Sequence, residues 1–155
     1  MTSSANEQLV DGFYRALAKR DWETMVAAYH PDVHFTDPVF DLRGARAAGM
    51  WRMLCESAKD ISVVHSGVRA TEHEGAAHWE ATYTFSLTGR RVLNVIDARF
   101  EFRDGKILRH VDTFDFWKWA GQALGPTGKL LGWTPFVRGK VRRTANGRLE
   151  KFLSR

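Results

Sequence analysis

Ala77-His78-Trp79-Glu80-Ala81-Thr82-Tyr83-Thr84-Phe85-Ser86-Leu87-Thr88 alternates apolar and polar residues without a break. Side chains along a strand point to opposite faces in turn, so Ala77, Trp79, Ala81, Tyr83, Phe85 and Leu87 lie on the inner face of a half-buried strand. Gly89-Arg90-Arg91 turns the chain into a second strand, Val92 to Arg103, and Asp104-Gly105 turns it again into Lys106 to Phe114. On that last strand Leu108, His110, Asp112 and Phe114 share a face, and Asp97 is expected to point into the same apolar cavity. A charge buried without a partner is costly, so such groups are paired, shifted in pKa or functional.

Outward from this meander, Ile61 to Glu72 reads as a further strand and Val33 to Asp37 as a short one stopped by Pro38. Ser4-Ala5-Asn6-Glu7 reads as a capping box ahead of the helical stripe Leu9, Val10, Phe13, Tyr14 and Leu17. Asp21 suits the cap of a short helix carrying Trp22, Met25, Val26 and Tyr29, ended by Pro31. A third helix runs from about Ala45 to Ser57 after Gly44. Phe116 to Leu124 reads as helical and stops at Gly125-Pro126. From Thr134-Pro135 onward, Val137, Val141, Leu149, Phe152 and Leu153 recur at near-helical spacing, against two helix-weakening residues, Gly139 and Gly147.

Helices followed by a long meander predict an α+β fold. A cone-shaped, strongly curved, mostly antiparallel sheet is expected to wrap around three N-terminal helices, with a C-terminal helical extension. Residues 1–124 are expected to form the domain, and 125–155 a basic extension packed on it.

A chain of 155 residues, 44% apolar and 26% charged, suits one globular domain. No run has the length of a membrane span, and the N-terminal stretch lacks the pattern of a secretory signal, so a cytoplasmic location is expected. Lone Cys55 rules out an internal disulfide and reads as a small core residue. The net charge of +5 is concentrated at the end, where residues 138–155 hold seven Arg or Lys and one Glu. A nucleic-acid or anionic-surface role would use that tail, but no nucleic-acid recognition motif accompanies it. No Gly-rich phosphate loop, nucleophile elbow or paired-Cys metal motif is present, and His110 with Asp112 lacks a second His ligand. Neither a cofactor nor a metal is expected.

Several stretches resemble the nuclear transport factor 2-like superfamily, in its SnoaL-like and ketosteroid isomerase-like branch. They are Phe13-Tyr14-Arg15-Ala16-Leu17 through Asp21, Tyr29-His30-Pro31-Asp32-Val33, Phe35-Thr36-Asp37-Pro38, Arg43-Gly44, and Asn94-Val95-Ile96-Asp97 with Phe100 to Asp115. The resemblance implies a cone-shaped fold, a pocket for a small apolar molecule, and a homodimer through the convex sheet face. Carried over from the isomerases, Asp37 is the general base, and Tyr14 and Asp97 supply an oxyanion hole. Tyr29 matches a supporting tyrosine, while Trp51-Arg52 stands where another would be. The last strand departs from that pattern, since His110 and Asp112 are polar where the isomerase pocket is apolar, and this looks more like the cyclase-like branch.

The first expectation from these residues is a cofactor-independent acid–base enzyme for a small apolar carbonyl compound, performing an isomerisation, a cyclisation or a related proton transfer. Asp37 or His110 is the base, Asp97 and Tyr14 stabilise the oxyanion, and Asp112 tunes His110. Tyr29, Trp51, Trp79, Tyr83, Phe85, Val95, Phe114 and Trp117 are the candidate substrate contacts. Structural roles compete with these. Asp37 suits a turn with Pro38, Asp97 an ion pair with Arg99 or Arg109, and the aromatic residues ordinary core. A non-catalytic module that binds a hydrophobic ligand or a protein partner is the alternative.

Overall fold

The computed structural model describes residues 3–155, arranged as an α+β fold around one curved, unclosed sheet. The chain runs α1 (Ser3–Ala18), α2 (Trp22–Ala27), β1 (Tyr29–Thr36), β2 (Asp41–Arg43), α3 (Ala45–Ser57), β3 (Ser62–Ala70), β4 (Glu74–Phe85), β5 (Arg90–Arg103), β6 (Lys106–Thr113), α4 (Phe116–Leu124), α5 (Pro126–Leu131) and α6 (Pro135–Leu153). The six strands lie in the order β2-β1-β6-β5-β4-β3. All neighbours are antiparallel except β1 and β6, which pair in parallel.

The alternation of Ala77 to Phe85 is the frame of this sheet. Ala77, Trp79, Ala81 and Tyr83 stand opposite Ala98, Ile96, Asn94 and Val92 on the inner face, and His78 stands opposite Asp97 on the outer one. β4 ends at Phe85, so Leu87 falls in the following turn and is exposed rather than inward. The turn into β6 places Asp104 and Gly105 at φ 54° and 73°, the left-handed pair that matches the twist of a two-residue hairpin.

Parity on β6 depends on a bulge. Glu101 pairs with Arg109 but Phe102 pairs with Ile107, so Leu108 is the extra residue. Ile107 therefore takes the inner position expected for Leu108, while His110 and Asp112 keep theirs. β5 alternates throughout, with no bulge to turn Asp97 inward.

Elsewhere the differences from expectation are local. α1 already includes Ser4, so the chain enters the helix before the expected capping box. Asn6 points inward instead and donates to the carbonyls of Thr71 and Glu72. Asp21 caps α2 as expected, accepting from the Thr24 N–H, but that helix stops at Ala27 and Tyr29 opens β1. Pro31 lies inside β1, between the positions that register with β6. α5 was not legible. It packs backbone against α4 so closely that a Cβ on Gly128 would lie 1.9 Å from the Ala120 carbonyl oxygen.

The main apolar core joins α1 and α3 to the concave sheet through Phe13, Tyr14, Phe35, Trp51, Trp79 and Phe100. A second cluster, built on Val92, Phe116, Trp119, Ala120 and Ala123, takes in Val39, Tyr83, Phe85, Phe114 and Val141 from the surrounding elements. α6 ties the two together. Leu149 is buried in the main core, Val141 packs on the second cluster, and Glu150 pairs with Arg46 of α3.

Candidate functional site

β6 carries two ionisable groups into the main core, and the sheet's own geometry brings them together. His110 and Asp112 are two residues apart on one face of a strand, His110 is wholly buried, and its Nε2 lies 2.9 Å from Asp112 Oδ1. Its other nitrogen, Nδ1, lies 2.8 Å from the hydroxyl of Tyr29 at the start of β1. Trp51, on α3, donates its indole N–H to that hydroxyl at 2.8 Å, and Trp79, on β4, donates to Asp112 Oδ1 at 3.3 Å.

Proton positions follow from the donor set. Both indoles only donate. Tyr29 accepts from Trp51, so its own O–H is free for His110 Nδ1, and the remaining proton of a neutral imidazole then sits on Nε2 and serves Asp112. The donors of Tyr29, Trp51, Trp79 and His110 are all used in this assignment. Both nitrogens of His110 are consequently occupied, and aromatic rings enclose the imidazole, with Phe100 centred 4.6 Å away, Phe35 at 5.0 Å and Trp51 stacked at 6.0 Å. Such a histidine orients a carboxylate and has no free nitrogen for a substrate. Both hydrogen bonds to Asp112 fall on Oδ1, and Oδ2 is the atom left to act.

Asp37 is the second carboxyl of the site. It follows β1, and its Oδ1 accepts the backbone N–H groups of Val39 (2.7 Å) and Phe40 (2.6 Å), the turn expected of an Asp-Pro pair. Burial pushes its pKa up to about 6 against the pull of those two donors, and the Asp112 charge adds to the rise. Tyr14 completes the set. Its hydroxyl is buried with no hydrogen-bond partner among the described residues, and burial together with the Asp112 charge raises its pKa well above the ordinary tyrosine value. It therefore stays protonated, an unused donor.

The structure thus joins Tyr29, Trp51, Trp79, His110 and Asp112 in one hydrogen-bonded set, and the Asp112 charge reaches Tyr14 and Asp37. Asp97 is not part of this set. Its side chain is 79% exposed on the outer face, 2.9 Å from His78 Nδ1, and it raises the pKa of that histidine together with Glu80. The partner is therefore a cross-strand histidine rather than Arg99 or Arg109. The apolar series of β5 is the even one, Val92, Ile96, Ala98, Phe100 and Phe102, which turns Asn94 inward and Val95 and Asp97 outward. Val95 is exposed on the outer face, and Trp117 is exposed against α5, where its indole donates to the Lys129 carbonyl. Neither lines the interior. Tyr83, Phe85 and Phe114 stand at the edge of the core, where Tyr83 accepts from Trp119 at 2.8 Å. Trp119 was missed because it lies on a helix beyond the strands that carry the motif.

Helix α6 lies over the turn that follows β1. Arg142 of α6 donates to the Pro38 carbonyl at 2.8 Å, and Asn146 reaches the Val39 carbonyl at 3.4 Å. Together with the second cluster they cover the turn that holds Asp37. Two surface grooves lie elsewhere: one of about 440 Å³ between α3 and the end of α6, the other of about 330 Å³ under Trp133. Among the described residues no group of three or more His, Cys, Asp or Glu is placed to hold a metal ion.

The family model described as a SnoaL-like domain matches residues 10–110. Among solved structures, an LEH-like epoxide hydrolase from M. tuberculosis is 21% identical, with 83% of this chain and 96% of that one covered at a TM-score of 0.65. A proposed polyketide cyclase from Xanthomonas campestris is 22% identical, covering 79% and 98% at a TM-score of 0.62. TsrD from Streptomyces laurentii is 18% identical, covering 79% and 96% at 0.67. At these identities the likeness is one of fold. Among curated proteins none matches this chain.

Proposed function

Because the chain belongs to the SnoaL-like domain family, we propose that its interior carboxyls make it a cofactor-independent acid–base enzyme for a small, largely apolar carbonyl compound. The observation that supports this reading is a division of labour between two carboxyls. Asp112 is held by His110 and Trp79 through one oxygen with the other free, while burial lifts Asp37 towards the neutral range.

In this scheme Asp112 Oδ2 takes a proton from the carbon beside the carbonyl. The electron pair moves to the carbonyl oxygen, which Asp37 meets with its proton in the molecules protonated around and below pH 6, and Tyr14 with its idle O–H. Returning the proton to a different carbon gives an isomerisation. Attack of the enolate carbon on a second carbonyl closes a ring, and the new alkoxide takes up the proton held by Asp112. The base is then Asp112, with His110 as its positioning residue, the reverse of the order expected from the strand pattern. Substrate enters by parting the two α6 hydrogen bonds at Pro38 and Val39.

The test is a thermal-shift panel of ketosteroids, polyketide fragments, epoxides and fatty acids against the purified full chain. A ligand that binds only the native state raises Tm by mass action. A carbonyl compound is the expected hit, with α-hydrogen exchange into D2O as its turnover signal. An epoxide hit would instead assign the same two carboxyls to ring opening, Asp37 protonating the oxygen and Asp112 activating water. A fatty-acid hit with no turnover would overturn catalysis in favour of a binding module.

A further inference from the structure

We propose that the corner formed by α4, α5 and the first turns of α6 is a docking surface for an anionic phospholipid bilayer. This goes beyond the acid–base reading and rests on none of its residues. Trp117 (51% exposed), Leu130 (72%), Trp133 (62%) and Phe136 (71%) all present apolar surface there. They are contiguous. The Trp117 ring lies against Gly132 and its N–H reaches the Lys129 carbonyl, Trp133 donates to the Leu130 carbonyl, and Leu130, Trp133 and Phe136 recur every third residue across the α5–α6 junction. With both indole N–H groups satisfied by backbone, the outer faces of the rings are purely apolar. A cluster of large exposed hydrophobic residues on one corner marks an interaction site.

The charge around this corner selects the partner. Residues 116–149 hold seven Lys or Arg and no Asp or Glu, leaving 16 basic against 18 acidic residues in the rest of the chain. Three of the seven fasten helices to the fold: Arg138 lies over the Phe116 ring, Arg142 donates to the Pro38 carbonyl and Arg148 to the Ser86 hydroxyl. Lys118, Lys129, Lys140 and Arg143 are exposed, and among the described residues the ion pairs of the chain include none of the four. Lys140 and Arg143 follow Phe136 at spacings of four and seven residues, which puts them on its stripe of α6. Tryptophan, phenylalanine and leucine rimmed by uncompensated lysine and arginine fit the boundary between anionic headgroups and acyl chains. The aliphatic Leu130 favours hydrocarbon over the base stacking that a nucleic acid would offer. Among the described residues no helix is long and apolar enough to cross a membrane, so the contact is a surface adsorption.

The experiment is co-sedimentation of the full chain with vesicles of phosphatidylcholine alone and of phosphatidylcholine containing about one-third phosphatidylglycerol. Binding to the second and not the first is expected, and it should weaken as salt rises. Each basic residue near such a surface contributes about fivefold in partitioning. Lys140→Glu with Arg143→Glu should therefore lower partitioning at least about tenfold, and Trp133→Ala with Phe136→Ala should do the same by an apolar route. All four positions are exposed, so both double variants should keep the wild-type melting curve. No binding to anionic vesicles, binding untouched by both double variants, or tighter binding to a single-stranded RNA than to the anionic vesicles would overturn the proposal. So would a dimer that Trp133→Ala with Phe136→Ala splits without changing vesicle binding.

Discussion

Asp112→Asn should lower turnover by about 10²–10⁴-fold while leaving the fold intact. The substitution is nearly isosteric. The amide oxygen can take the place of Oδ1, still accepting the Trp79 indole N–H and the Nε2–H of His110, and only Oδ2 becomes a group that cannot take a proton. Exchange of α-hydrogens in a ketone substrate measures the loss, and a thermal melt measures the fold. Asp97→Asn is the matched control, because that carboxyl faces solvent against His78 on the outer side of the sheet. It should leave turnover within twofold or so of wild type, as surface substitutions do. Full activity in Asp112→Asn would remove the proposed base.

Trp51→Ala should cost about 3–5 kcal/mol of stability. This residue is 2% exposed and joins α3 to the rings of the main core. Its ring meets Phe13 and Phe35 edge-on, stacks on His110 and tilts against Trp79, while its N–H supports Tyr29. Truncation leaves a void that the surrounding rings, spread over α1, β1, β4 and β6, cannot all move to fill. For a domain of this size the melting temperature should fall by about 10 °C. Trp51→Phe keeps most of the ring volume and loses the N–H, for about 1 kcal/mol. Urea melts of the two variants separate packing from hydrogen bonding. A Trp51→Ala cost no greater than that of Trp51→Phe would contradict the packed interior described here.

The fold was legible where period-two alternation is long and hairpin turns are short. Ala77 to Phe85, the Asp104-Gly105 turn and the inward pair His110 and Asp112 all follow from that pattern. Asp97 is expected inward on strand parity, but the parity of β5 is set by Val92, Ile96 and Phe100, whose even-numbered series turns Asp97 outward. Leu108 went astray because a bulge shifts parity with no local mark such as glycine. The parallel pairing of β1 with β6 joins strands far apart in the chain, and no short-range signal reports it. α6 forms despite Gly139 and Gly147, since burial of Val137 and Leu149 outweighs their helix propensity. That His110 serves Asp112, rather than the reverse, required the positions of Tyr29 and Trp51, which sequence spacing does not carry.

The paired carboxyls are tested most directly by a carbon-13 NMR titration of the Asp37 side chain. The folded protein should take up this proton near pH 6, where an ordinary aspartate does so near about 4. Across that window the native Asp37 carboxyl binds more protons than its unfolded counterpart, so its contribution to stability should decline as pH rises from about 4 to 6 and then level off. Because the Asp112 charge contributes to the rise, Asp112→Asn should move the Asp37 midpoint to lower pH. A midpoint near 6 that falls in this variant is the result the account predicts. A midpoint near about 4, unmoved by Asp112→Asn, would contradict it.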